Sequence, residues 1–185
     1  MATTIEELAA ILEADGLKYR IVDGLIRTGF LTEHYKCADG PIGLPLVIAL
    51  EEDGEFLKIV APTVYSYKEG PYKAQLFQTL LLVSYRTKMV QFEYDPADGE
   101  VRAIIEFPIE DGTITSRQLL RCVRAIAEIV DQFHESIVAA MTKGELPKHP
   151  AEDDEELAQM WRDFQEFLEK KRRAEGASPG EGLPS

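Results

Sequence analysis

The chain has 185 residues, 45% of them hydrophobic, enough to bury the core of one domain that carries a short appendage. Acidic residues number 33 against 20 basic ones, a formal net charge of -13, so its average field repels nucleic-acid phosphates and speaks against direct DNA or RNA binding. The two cysteines, Cys37 and Cys122, stand far apart and outside any CxxC spacing; this fits reduced thiols better than a disulfide framework, a single bridge being the alternative.

Met1 to Glu7 is acidic where a secretory signal needs a basic region, and no segment reaches the ~20 apolar residues of a membrane span. The expectation is a cytoplasmic protein with no membrane partner. Thr3 and Thr4 precede Glu6 and Glu7 at capping-box spacing, and Ile5, Leu8, Ala9 and Leu12 follow at helical intervals. This predicts a helix from Thr4 to Ala14. Tyr19 and Ile21 alternate before Asp23-Gly24, and Ile26, Thr28 and Phe30 alternate after it, which predicts a hairpin. His34 to Gly43 is rich in turn formers and reads as a long loop. Leu46 to Leu50 and Phe56 to Ala61, either side of Glu51-Glu52-Asp53-Gly54, read as a second hairpin.

From Pro71 to Thr87 a middle helix places Leu76, Phe77, Leu80, Leu81, Leu82, Val83 and Tyr85 around nearly its whole circumference. One sheet cannot cover every face of such a helix, so Leu76, Leu80 and Val83 are expected at a homodimer contact. Val90 to Tyr94 and Val101 to Phe107 flank Asp95-Pro96-Ala97-Asp98-Gly99 and predict a third hairpin. Thr115-Ser116 with Gln118 opens a long helix whose apolar positions run from Leu119 to Met141, until Gly144 stops it.

The expected organisation is an α+β domain over 1–144, a proline-bearing linker over 145–151, an amphipathic helix over 152–175 and a disordered tail over 176–185. In the amphipathic helix Leu157, Trp161, Phe164 and Leu168 share one face and are expected to dock on a groove of the domain, its mate or a partner. Lys170 to Arg173 suits the negative end of that helix, and Glu166, Glu169 and Glu175 dilute it as a nucleic-acid patch.

Three features carry a resemblance: Tyr19 to Gly24 before the second strand, Phe56 to Ala61 before the middle helix, and the turn Asp98 to Val101 after it, with Leu119 to Ile137 as the closing helix. Over about Ile5 to Lys143 the chain resembles the YbjN-domain family, which shares the type III secretion chaperone-like fold. The resemblance implies an antiparallel sheet built from hairpins and packed by helices, in a non-enzymatic and often dimeric protein that binds partner polypeptides as an adaptor or regulator. It supplies no catalytic residue, and the helix after Pro150 is an addition to the family pattern.

The residues themselves give no catalytic, cofactor or metal site. The turn at Asp95 carries Ala97, Gly99 and Glu100 where an EF-hand needs oxygen ligands and then glycine. His34 and Cys37 lack the further ligands of a zinc site, and His134-Glu135 lacks the second histidine of HExxH, so His134 reads as a surface or interface residue. GxxxxGK[ST], GxGxxG and GxSxG are absent. The function expected is a non-catalytic, chaperone-like protein-binding domain with no cofactor. Its rival is a regulatory module that senses a small ligand near the loop His34 to Gly43.

Overall fold

The computed structural model describes residues 3–37, 43–110 and 112–147, with the single positions 159, 162, 163 and 166. The chain divides into two units, Met1–Leu146 and Pro147–Ser185. In the first unit the order is α1 (Ile5–Ala14), β1 (Arg20–Val22), β2 (Leu25–Phe30), β3 (Leu44–Glu51), β4 (Phe56–Ser66), α2 (Lys73–Arg86), β5 (Gln91–Tyr94), β6 (Glu100–Pro108) and α3 (Ser116–Lys143).

The three predicted hairpins form and join into one antiparallel sheet of order β1-β2-β3-β4-β6-β5. Alternation sets which face each strand buries: Ile26, Ile48, Ile59 and Ile105 stand in register and fall in the core with α1, α2 and α3. Burying each is worth about 1.5–3 kcal/mol, so slipping one strand by a single residue would move its whole apolar set to the wrong face. The sheet is therefore locked by its hydrophobic pattern. Two strands are longer than their apolar runs suggest. β3 starts at Leu44, and β4 continues past Ala61 through an irregularity to Tyr65 and Ser66.

That irregularity sets Pro62, Thr63 and Val64 against the single residue Arg102 between the registered pairs Ala61–Ala103 and Tyr65–Val101. Thr63 has φ 46°, unfavourable for a β-branched residue, and is fastened there by Glu100, whose Oε1 accepts its N–H at 2.7 Å and its hydroxyl at 2.9 Å. The bulge lets Val64 and Tyr65, consecutive residues, both be buried.

Helix ends follow the predicted signals. Thr4 with Glu7 and Thr115 with Gln118 form reciprocal capping boxes. Gly144 ends α3 at φ 71°, where an added Cβ would lie 2.6 Å from the Tyr72 ring, so no larger residue fits this left-handed cap.

In the second unit Gln159, Arg162, Asp163 and Glu166 are helical, and Gln159 Nε2 donates to Asp163 Oδ1 at 2.8 Å. The expected contact residues Leu157, Trp161, Phe164 and Leu168, and the expected tail over 176–185, lie outside the described residues. Among the described residues no helix is long and apolar enough to cross a membrane.

Candidate functional site

Helix α2 packs against α3 and β5, with Phe77 edge-on to Tyr94 at 4.8 Å. The helix is apolar around its circumference, and the fold spends one side of it on the core. Leu76, Leu80 and Val83, expected at a dimer contact, are buried by their own chain, at 0%, 5% and 1% exposure. The expected surface therefore has to be redrawn, because the face these three share is the one that closes the domain. The apolar side chains left in water are Leu81 and Tyr85, one turn apart at 72% and 85% exposure, followed by Met89 at 45% beyond the helix end. Strand β5, which α2 adjoins, is a sheet edge among the described residues.

A second feature lies where the 31–37 segment crosses α3. Asp131 on α3 accepts three consecutive backbone N–H groups, from Glu33 at 3.0 Å, His34 at 2.8 Å and Tyr35 at 2.7 Å. Burial alone would raise its pKa, but these three donors hold the carboxyl below its ordinary value. The segment is thus fastened by one carboxylate and one ring. Tyr35 is buried, donates its hydroxyl to the Val64 carbonyl at 3.2 Å, and sets its ring edge-on to both Tyr65 and His134.

The His134 ring is stacked beside Tyr65, with Nδ1 3.1 Å from the Tyr65 hydroxyl. Burial, helped by the neighbouring Cys37 thiol, pushes the Tyr35 phenol up to about 12, and burial raises Tyr65 above the ordinary phenol value. Burial lowers His134, against the opposing pull of Asp131 and Glu135. At neutral pH the two phenols and the imidazole are uncharged, which suits a packed polar cluster.

Outside this cluster the segment and α3 bound an open groove of about 640 Å³, lined among others by His34, Lys36, His134, Glu135 and Lys143. His34 Nδ1 lies 3.9 Å from Glu135 Oε1. The groups are of both signs and solvated, and no set of three His, Cys, Asp or Glu side chains among the described residues converges to hold a metal. The sequence placed a pocket near the loop from His34. It missed Tyr35, Tyr65 and Asp131, because the signal that joins them is a contact across 96 residues of chain.

No protein-family model and no curated protein matches the chain in sequence. Solved structures do match in shape. The crystal structure of YbjN from E. coli superposes with a TM-score of 0.51 at 11% identity, over 73% of this chain and 94% of that one. The structure of the HopA1-SchA chaperone-effector complex gives 0.47 at 15% identity, over 69% and 90%. The heterodimeric complex ExoU-SpcU from the type III secretion system of Pseudomonas aeruginosa gives 0.42 at 19%, over 72% and 97%. The chain has the YbjN-like α+β fold that the sequence resemblance implied.

Proposed function

We propose that this chain is a non-catalytic, chaperone-like adaptor or regulator that acts in the cytoplasm by binding protein and pairs with a second copy of itself across the outer face of α2. The observation that carries this reading is the stripe of Leu81, Tyr85 and Met89, large apolar groups left in water. Full burial of such side chains is worth about 1.5–3 kcal/mol each, so they are a strong incentive to association. Leu157, Trp161, Phe164 and Leu168 enter the same reading as a tethered apolar stripe that competes for, or adds to, the partner contact.

The test is size-exclusion chromatography with light scattering on the full chain and on Leu81→Glu with Tyr85→Glu. A dimeric mass that falls to the monomer in the double variant, with unchanged circular dichroism, supports the proposal. A strictly monomeric wild type at micromolar concentration refutes the self-pairing.

The rival reading, a module that senses a small ligand, is favoured by one observation: the groove beside His34 and Lys36 opens next to the segment where it was expected. Native mass spectrometry of the purified chain tests it. A bound metabolite lost on Lys36→Ala with Lys143→Ala supports it, and protein of bare mass opposes it.

A further inference from the structure

The groove beside the 31–37 segment has a polarity. Its α3 side is formed by His134, Glu135, Val138, Ala139, Thr142 and Lys143, which recur at helical intervals and line one side of the helix. Glu135 and Lys143 stand about 12 Å apart along the axis at 1.5 Å per residue. A carboxylate therefore marks one end of this side and an ammonium the other, with the half-buried aliphatic Val138 and Ala139 between them.

The facing wall is already in place. Asp131 grips the backbone of residues 33–35 and the buried Tyr35 ring anchors it, so Glu33, His34 and Lys36 reach the groove from a fixed stretch of chain. This wall adds one more charge of each sign. Lys36 and Lys143 are exposed, and neither forms an ion pair among the described residues. Glu135 lies 3.9 Å from His34, with both side chains largely in water. A simple anion would meet Glu33 and Glu135 as well as the lysines, and a simple cation would meet the lysines as well as the carboxylates. Either gains at one end what it loses at the other.

We infer that this groove binds a small zwitterion about 10 Å long, the span of three extended residues, with its ammonium toward Glu135 and its carboxylate toward Lys143. An uncharged body between the two ends would cover Val138 and Ala139. The inference rests on the small-ligand reading of the groove and sharpens it. A metabolite of another charge type found by native mass spectrometry would leave that reading standing and overturn this one.

The probe is trialanine with free termini, titrated at low salt into the full chain labelled with ¹⁵N. It is compared with its N-acetyl form, which keeps only the anionic end, and its C-terminal amide, which keeps only the cationic end. Trialanine is expected to bind about threefold more tightly than either blocked form, the scale of an exposed ion pair, and to shift amides of residues 33–36 and 134–143. 8-Aminooctanoate carries the same two charges at a similar span without peptide groups. Binding like trialanine assigns the class to ω-amino acids, and binding by trialanine alone assigns it to short peptides; both support the inference. In Lys143→Gln the advantage over the amide should vanish while the advantage over the N-acetyl form persists, and in Glu135→Gln the reverse. Both side chains are exposed, so the core is untouched, and circular dichroism checks the fold. Equal binding of the three peptides, shifts that map away from the groove, preferences that survive both variants, or no binding at millimolar concentration overturns the inference.

Discussion

Replacing Asp131 with asparagine tests how the 31–37 segment is held. The carboxylate takes three backbone N–H groups within 3.0 Å, and asparagine retains one oxygen while presenting an NH₂ to donors that need acceptors. Hydrogen bonds to a charged acceptor are worth about 1.5–3 kcal/mol each when shielded from water. The N–H groups of Glu33 and His34 are exposed and find water instead, so the Tyr35 N–H, part-buried, carries most of the loss. We expect Asp131→Asn to cost about 2 kcal/mol, a fall of about 4–8 °C in Tm for a domain of this size. Because the folded carboxyl sits below its ordinary value, its contribution is complete above the unfolded pKa of about 4. It is lost as pH falls through the lower folded value. Thermal melts from neutral to strongly acidic pH should show the wild type losing this increment and the variant already lacking it. Hydrogen exchange at residues 33–37 should accelerate in the variant while the β3–β4 ladder stays protected. Unchanged exchange at 33–37, or parallel acid limbs for the two proteins, would refute the latch.

Leu76→Ala should cost about 2–5 kcal/mol in urea unfolding, as a cavity in a closed core does, and leave the mass of the remaining folded protein as in wild type. Cys122→Ser should cost about 1–3 kcal/mol, because burial that raises the thiol pKa equally penalises a hydroxyl there, and partner binding measured by titration should persist. Deleting residues 151–185 should leave the first unit folded and tighten capture of a protein partner if the apolar stripe competes for its site. If the stripe is itself the contact, Trp161→Ala with Phe164→Ala should weaken that capture severalfold.

The hairpins and helix ends were legible in the sequence because their causes are local. Asp23-Gly24 and Asp98-Gly99 turn the chain between alternating runs, and the Thr4–Glu7 and Thr115–Gln118 boxes each lie within four residues. The roles of α2 residues were not legible. Periodicity names an apolar circumference, and only the placement of α3 and β5 decides that Leu80 is inside and Leu81 outside. The groups that meet at long range were equally hidden. Asp131 looks like any exposed helix acid until three amides from a distant loop reach it, and Arg20 and Arg27 read as scattered charges until the hairpin register sets them face to face. The continuation of β4 was missed because Pro62 breaks the apolar run at Ala61, although the strand resumes beyond it.

The irregularity in β4 has a parity. Three residues, 62–64, face one, so the strand carries two extra residues, an even number, and the in-and-out rhythm resumes in phase at Tyr65. Removing one of them would invert every later side chain of β4 and throw the Tyr65 hydroxyl out of reach of His134. Removing Thr63 and Val64 together would restore an unbroken ladder with Tyr65 still facing inward, yet would strip away the Val64 carbonyl that receives the Tyr35 hydroxyl. Length variation at this point is thus quantised: odd steps scramble the aromatic cluster, and even steps keep its orientation while loosening its loop. Relatives of this chain should differ here by pairs of residues or not at all.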